Sequence, residues 1–136
     1  EWDLNGMKIN TFGISHDSTE CIGYVIDYLG QRFMIVTDCG QPNATMESYM
    51  ATANHVVIEA NHDEQLLLNG PYPTYLKERI LSPRGHQSNV TCGRLIAPVT
   101  YNEKYSVSLD VVLQSNNETY GYETIVKNNL KTKYSR

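Results

Sequence analysis

Four polar segments of the sequence carry side chains that could hold a metal ion or transfer a proton. Three of them follow apolar runs and contain His16, Asp38 and the group Glu59, His62 and Asp63, and the fourth is a loop with His86. Histidine nitrogen and carboxylate oxygen are ligands that zinc, manganese and non-haem iron take in proteins. Strand ends in α/β sheets are rigid and open to ligand, so sites are often built there. Two histidines and an aspartate from separate segments could therefore ligate one metal ion.

Each of these residues also has an ordinary structural interpretation. His16 beside Asp17 could form a surface pair, and Asp38 could shape a turn, because aspartate side chains cap turns well. The pair at 62–63 could simply start a helix, with Asp63 in its first turn. His86 could be a loop histidine that follows a glycine. Residue types and spacing alone therefore predict an α/β domain with a candidate metal site, and they leave these alternatives open.

Apolar periodicity predicts the elements that would position these segments. We predict strands over 7–14, over 22–29, which is rich in Val, Ile and Tyr, and over 32–37, which contains the apolar run 33–36. A further short apolar strand is predicted over 55–59, in which His55 is structural. Asn43 is placed to cap a helix whose apolar residues recur at helical spacing. Further predictions are helices at 66–70, 72–81 and 117–131, a polar loop at 82–89 and a strand at 106–113, while 94–99 is ambiguous. This order predicts a layered α/β half-domain with helices covering a sheet.

Composition fits one small soluble domain. The chain has 136 residues, a formal net charge of −4, 40% hydrophobic and 19% charged residues. A general nucleic-acid binder usually carries a basic stripe; here Lys127, Lys131, Lys133 and Arg136 gather only in the tail, which we interpret as a solvated helix end. Metal ions can still attract phosphates to an acidic fold. Three cysteines without C-x-x-C spacing, and no apolar run of membrane-spanning length, predict a cytoplasmic protein with no membrane partner.

The exact sequences of the polar loops identify a protein family more specifically than their composition does. The segments are FGISHDS, GYVIDYLGQRFMIVTDCG and VVIEANHDEQLLLNGPYPTYLKERILSPRGHQSN, within residues 9–89. In this order they resemble the bacterial metallo-β-lactamase-fold proteins of the YycJ/WalJ type, exonuclease-like phosphodiesterases that use two divalent metal ions. The family pattern is a strand ending S-H-D, then T-D-x-G, E-x-N-H-D, G-x-Y-P-x-x-L-K-x-R-I and G-H-L-S-N. The resemblance implies that residues 1–136 form the C-terminal half of that αββα sandwich, a mixed sheet covered by helices.

The resemblance also implies a role for each candidate residue. His16 would be a metal ligand, and Asp38 would be the carboxylate that bridges two divalent ions, zinc or manganese. The candidate catalytic residues in the family's N-H-D element are Glu59, His62 and Asp63. His86 matches the histidine of G-H-x-S-N and resembles a proton donor to the leaving oxygen in related nucleases. A direct metal role for His86 stays open at this point.

Two departures from the family pattern bear on function. The hallmark His-x-His-x-Asp-His motif, which belongs to the first half of the fold, occurs nowhere in this sequence. A late-strand histidine is also missing, and Asp110 or Val111 stands near its place. His16 and Asp38 alone cannot hold two ions, because catalytic zinc normally has three protein ligands. Half of a sandwich would also expose an apolar sheet face. We therefore expect a complementary N-terminal half, on a separate chain or the rest of a split polypeptide, that covers this face and supplies the missing ligands.

Three functions are consistent with the sequence. The leading one is a metal-dependent hydrolase half-domain of the phosphodiesterase or nuclease type, which acts on nucleic acid or a nucleotide only when completed by the other half. The alternative is a catalytically degenerate module of the same fold that acts through protein–protein interaction, and the missing motif and histidine support it. A third is a lactonase-like hydrolase of small molecules, because one fold hosts many chemistries.

Overall fold

The computed structural model describes the backbone of residues 1–100 and 108–113 and the side chains of residues 1–97. Its elements are β1 (Trp2–Leu4), β2 (Met7–Gly13), β3 (Ile22–Tyr28), β4 (Gln31–Val36), α1 (Ala44–Met50), β5 (His55–Ala60), α2 (Glu64–Asn69), α3 (Thr74–Leu81), α4 (Asn89–Thr100) and β6 (Ser108–Leu113). The α/β class expected from the sequence is confirmed. None of the helices in this part of the chain is long and apolar enough to span a membrane.

Most element boundaries lie close to those predicted from periodicity. Two elements differ: β1 was not predicted, and the ambiguous segment 94–99 belongs to α4. The mixed apolar and polar residues of that segment give no clear period on their own, so the helix is defined by its packing against the core. The predicted helix at 117–131 and the basic tail lie outside the described residues.

The six strands form one mixed sheet in the order β1-β2-β3-β4-β5-β6. Neighbouring strands from β1 to β4 are antiparallel, whereas β4 pairs parallel with β5 and β5 pairs parallel with β6. Parallel neighbours need a crossover connection; α1 makes the first crossover, and α2, α3 and α4 lie between β5 and β6. As a result, β2, β4 and β5 run in the same direction and end at the same edge of the sheet.

Two-residue turns set the register of the antiparallel strands. Asn5-Gly6 joins β1 to β2 and Leu29-Gly30 joins β3 to β4, and all four residues have positive φ, from 48° to 85°. Positive φ at both central positions is typical of the type I′ hairpin turn, for which Asn-Gly is a favoured pair. Leu29 at +48° is unusual for a branched side chain, and the short turn requires it.

One face of the sheet packs against helices and forms the core. Phe12, Val25, Met34 and Ile58 lie on this face and are at most 7% exposed. Helices α1 and α4 cover it with residues that are buried in the same cluster: Met46, Met50, Cys92 and Ile96. The Asn43 side chain accepts a hydrogen bond from Met46 N at 2.9 Å, so its predicted capping role in α1 is confirmed.

The opposite face of the sheet is apolar, and the described residues do not cover it fully. Strand registers place Ile9, Ile26 and Phe33 side by side across β2, β3 and β4, and Tyr24 and Ile35 form the adjacent row. All five side chains are partly or largely open to solvent, and Tyr24 is 39% exposed. A contiguous apolar surface of this kind is typical of an interaction site. We call these residues, with Val57 of β5, the open sheet face.

Candidate metal site

The candidate ligands meet at the edge where β2, β4 and β5 end. His16 follows β2, Asp38 follows β4, and the segment 61–63 follows β5. His86 comes from the loop between α3 and α4, which returns to this edge as an extra, parallel bridge: His62 pairs with Ser88. Residues 16, 38 and 86 each offer one ligand atom, and these atoms all lie within 4.8 Å of one another. We call His16, Asp38 and His86 the ligand cluster.

The ring of His16 is held by the loop that carries His86. Its Nδ1 lies 2.8 Å from Gly85 O; a carbonyl only accepts, so Nδ1 carries the proton and Nε2 keeps its lone pair. Nε2 is 3.4 Å from Asp17 Oδ1. A hydrogen bond from Arg79 to Asp17 lowers the pKa of that carboxyl. The atoms of the surface pair considered for His16 and Asp17 therefore lie close together at Nε2, and a metal ion bound to this nitrogen would replace the contact with Asp17.

The ring of His86 is held by a buried carboxylate. Its Nδ1 lies 2.7 Å from Glu59 Oε1, and Glu59 is completely buried. This bond is the largest cause of the raised pKa of His86, and it assigns the proton to Nδ1. Metal-ligating histidines usually donate their other N–H to a carboxylate or a carbonyl in this way. His16 and His86 therefore both have the arrangement expected of a metal ligand, and His86 also has that expected of a proton donor.

Glu59 is the hub of the hydrogen bonds behind the cluster. Besides His86, its carboxylate accepts Asn61 Nδ2 at 2.9 Å and Cys39 N at 3.2 Å. Cys39 follows Asp38 directly, so this bond fixes the backbone beside the candidate bridging carboxylate. The Asp38 side chain is 48% exposed, and its Oδ1 lies 3.8 Å from His86 Nδ1. Burial raises the pKa of the Cys39 thiol to about 11, so this cysteine stays a neutral core residue near neutral pH.

Asp63, His62 and His55 do not enter the ligand cluster. Asp63 caps α2, because its Oδ1 accepts a hydrogen bond from Leu66 N at 2.9 Å. His62 is 1% exposed, and burial lowers its pKa, which keeps the ring neutral. His55 stacks on Phe33 with ring centroids 4.4 Å apart, in agreement with its predicted structural role. Asp110 pairs with Val57 in the middle of β5, three positions before the strand end that leads into the site.

Close backbone packing joins the loops that carry the cluster. Gly40 N donates to Ser15 O at 2.7 Å, and Ser15 Oγ donates to Pro83 O at 2.8 Å. An added Cβ on Gly40 would lie 2.3 Å from Pro83 O, so only glycine fits there. The glycine of the T-D-x-G pattern thus lets the loops of Asp38 and His86 approach each other. The sequence shows the glycine, but the contact that requires it is visible only in the structure.

Comparison with known proteins agrees with this geometry. The exodeoxyribonuclease YycJ of Bacillus anthracis is 32% identical over 111 residues, which are 82% of this chain and 42% of that protein. The exodeoxyribonuclease WalJ of Streptococcus pneumoniae is 33% identical over 111 residues, 82% of this chain and 41% of that protein. The metallo-β-lactamase-fold protein YhfI of Bacillus subtilis superimposes with a TM-score of 0.60 at 15% identity, covering 98% of this chain and 46% of that one. The chain is homologous to the YycJ/WalJ exonucleases and has the metallo-β-lactamase fold.

Further comparisons define what the homology covers. Zn²⁺-bound PqqB of Methylobacterium extorquens, aligned over 93% of this chain and 47% of that one, has a TM-score of 0.55 at 11% identity. No protein-family model matches the chain. The chain spans about two fifths of the length of the YycJ and WalJ relatives. The metallo-β-lactamase fold and the YycJ/WalJ relation are the expectations from the loop motifs that these findings confirm.

The donors of the ligand cluster fit a divalent cation. Two imidazole nitrogens and a carboxylate suit zinc or manganese. Three protein donors match one catalytic ion with an open position. Within residues 1–100 and 108–113, this is the only group of three or more His, Cys, Asp or Glu side chains with ligand atoms close enough to bind one ion. A second ion of a dinuclear centre therefore needs ligands from outside the described residues.

Proposed function

We propose that this chain is the C-terminal half of a metal-dependent phosphodiesterase that acts on nucleic acid. The convergence of His16, Asp38 and His86 at one sheet edge, with both rings oriented from behind, carries the proposal. The YycJ and WalJ relatives are named as exodeoxyribonucleases, which favours a DNA phosphodiester as the substrate class. A bound divalent metal ion would polarise a phosphoryl oxygen and lower the pKa of a coordinated water.

The residues of this chain would have different roles in such a site. His16 Nε2 and an Asp38 oxygen would hold the metal ion, and Gly85 O keeps the His16 ring in the required tautomer. Glu59 holds His86 Nδ1–H, so His86 Nε2 is the ring nitrogen left to bind a metal ion or to give a proton. In the ligand role, Nε2 presents its lone pair to the ion. In the proton-donor role, the raised pKa of His86 supports a proton on Nε2 for the leaving oxygen near neutral pH.

The open sheet face supports the need for a complementary half. It presents Ile9, Tyr24, Ile26, Phe33 and Ile35 along the strands, next to the edge that carries the ligand cluster. An apolar sheet face is satisfied best by another sheet at about 10 Å, as in a sandwich. A second half that stacks here brings its own strand ends to the same edge. It is therefore placed to supply the ligands that the described residues lack.

The first experiment determines the intact mass of everything that copurifies with the chain, together with its metal content. The proposal predicts a companion polypeptide, or a longer form of this one, that bears His-x-His-x-Asp-His and holds about two metal ions per complex. That complex should cleave a single-stranded oligonucleotide or a bis-phosphoester faster than a lactone. Faster lactone hydrolysis would instead identify the small-molecule hydrolase.

Asp38→Asn is the variant that tests the site itself. It removes a charged ligand while keeping the side-chain volume, and we expect it to abolish turnover and to lower bound metal. Asp3→Asn is the matched control, because Asp3 accepts a bond from Gly6 N in a hairpin turn far from the cluster and asparagine keeps that bond. Unchanged turnover in Asp38→Asn would refute the assignment of Asp38 as a bridging ligand.

The second candidate function is a degenerate module that acts through protein–protein interaction. The late strand, where Asp110 or Val111 stands near the place of the family's histidine, and the open sheet face both favour it. It predicts no bound metal either in the isolated chain or in the complex with its partner. The split hydrolase predicts little metal in the isolated chain and stoichiometric metal once the complementary half is added, so metal content separates the two.

A further inference from the structure

A pocket of about 230 Å³ lies beside the ligand cluster. The loop after β4, the start of α2 and the loop before α4 form its walls. His86 lines it as well, so the pocket and the ligand cluster share one residue. Its volume is below the range of about 300–1,000 Å³ for drug-sized ligands, which suits one small ring system. Its position makes it a candidate site for the part of a substrate that adjoins the reacting phosphate.

His62, on the wall of this pocket, presents an acceptor whose orientation is fixed. Asn61 donates through Nδ2 to Glu59 Oε1 at 2.9 Å, so its Oδ1 is the atom that faces His62 Nδ1 at 3.2 Å. Because an amide oxygen only accepts, Nδ1 carries the proton and Nε2 has a free lone pair. His62 is 1% exposed, and within the described part of the chain its Nε2 has no hydrogen-bond partner.

Gln87 presents a second acceptor on the same wall. Its Nε2 donates to the carbonyl oxygen of Glu59, which leaves Oε1 as the free end of the amide. Gln87 is also 1% exposed, and Oε1 has no partner among residues 1–100 and 108–113. Buried polar groups are nearly always hydrogen-bonded in native proteins. Two buried acceptors without protein donors among the residues that line one pocket leave their hydrogen bonds to a bound group or to water.

A third acceptor is the Glu64 carboxylate. One oxygen accepts Ser88 Oγ at 2.7 Å, and the exposed side chain lines the pocket. An ionised carboxylate only accepts hydrogen bonds. Glu64, His62 Nε2 and Gln87 Oε1 together form a wall of acceptors with a negative charge. Such a wall repels a phosphate group and attracts a group that carries several N–H donors.

We propose that this pocket binds the amino-bearing edge of a nucleobase, with guanine as its best ligand. Guanine carries an imino N–H and an amino group side by side, and carboxylates accept from such amino groups in nucleic-acid recognition. The identity of the ring as a nucleobase rests on the proposed nuclease function, whereas the need for N–H donors rests on the pocket alone. The phosphate of that nucleotide lies at the ligand cluster, and its base enters the acceptor wall next to His86.

The test titrates the full metal-free chain with guanosine and, separately, with inosine. Binding is monitored by the chemical shifts of the backbone amides. The two nucleosides differ only in the amino group of guanosine, and neither has a phosphate. We expect guanosine to bind about tenfold more tightly than inosine, since one hydrogen bond to a charged acceptor is gained. The shifts should be largest at residues of the pocket wall.

Glu64→Gln should remove most of this preference, because one carboxylate oxygen becomes a donor. Glu47→Gln is the matched control: both glutamates are exposed and stand in the first turn of a short helix, but Glu47 is in α1. Equal affinity for guanosine and inosine, shifts outside the pocket, or equal effects of the two variants would overturn the proposal. These titrations involve neither metal nor hydrolysis, so guanosine selectivity together with an inactive completed complex would refute the proposed function and leave the pocket assignment standing.

Discussion

Replacement of Glu59 by glutamine is the most informative perturbation of the site. The Glu59 carboxylate is fully buried and receives three donors: His86 Nδ1 at 2.7 Å, Asn61 Nδ2 at 2.9 Å and Cys39 N at 3.2 Å. The side chain introduced by Glu59→Gln has the same shape but only one acceptor oxygen and two amide hydrogens. At least one of the three donors therefore faces another donor after the substitution.

The expected loss of stability follows from the number of donors that Glu59→Gln leaves without an acceptor. A buried donor left without an acceptor costs about 1–3 kcal/mol, and the bond to His86 also loses its charge assistance. Relief of the desolvation of a buried charge offsets part of this loss. We expect the free energy of unfolding to fall by about 2 kcal/mol. The affinity for Mn²⁺ or Zn²⁺ should fall about 10–100-fold, as is usual when the hydrogen-bond partner of a metal-ligating histidine is removed.

The pH dependence of stability provides a second, independent test of the bond between Glu59 and His86. The folded state raises the pKa of His86, first of all through its bond to Glu59. A raised histidine pKa contributes stability that is fully present below the unfolded value of about 6.5 and is lost as pH rises through the folded pKa. The stability difference between wild type and Glu59→Gln should therefore be larger at about pH 5.5 than at about pH 9.

Urea denaturation of the metal-free chain at these two pH values measures the difference, and proton–nitrogen correlation spectra of the imidazoles report the tautomer of His86. The exposed Glu78→Gln on α3 is the control and should change neither. If Glu59→Gln is as stable as wild type at both pH values and His86 keeps its Nδ1 proton and its pKa, the hub role of Glu59 is wrong.

Three further predictions follow from individual contacts. Asp38→Asn should weaken metal binding about tenfold or more in calorimetric titration. It should change the free energy of unfolding by less than about 0.5 kcal/mol, because the Asp38 side chain is 48% exposed. A large loss of stability would show that Asp38 has a structural role. Gly40→Ala should lower the melting temperature and disturb the ligand cluster, because the added Cβ would lie 2.3 Å from a backbone oxygen. Gly13→Ala is the control, since a Cβ there has no atom within 4 Å. Equal effects of the two substitutions on the melting temperature would contradict the close approach at Gly40. Asp27→Asn should cost about 0.5–1 kcal/mol near neutral pH by breaking the pair with Arg32. Because that pair lowers the pKa of Asp27, the loss should vanish as pH falls through the folded pKa, and a pH-independent loss would refute it.

The elements could be predicted from the sequence because their signals are local. The Val, Ile and Tyr residues of 22–29 predicted β3, the apolar run 33–36 predicted β4, and Asn43 predicted the start of α1. Helix α4 and the three-residue strand β1 were missed. The apolar and polar residues of α4 give no clear period, although Cys92 and Ile96 pack in the core, and a three-residue strand is too short to show alternation.

The loop motifs identified the residue types of the site and the family, but not which residues meet. His16 and Gly85 are 69 positions apart, and Glu59 and His86 are 27 apart; they are neighbours because three strands end at one edge and one loop pairs back onto it. Asp63 stands in the same motif as His62, yet it faces a backbone N–H and caps a helix.

The sequence by itself determined the strands other than β1, the first helix cap, the YycJ/WalJ relation and the chemistry available to the site. Only the tertiary structure decided that His86 joins His16 and Asp38, that Glu59 is buried behind His86, and that the described residues leave one apolar sheet face partly open. The physical reason is that periodicity and capping act over a few residues, whereas a ligand set depends on strand order, strand direction and the loops that pack between them.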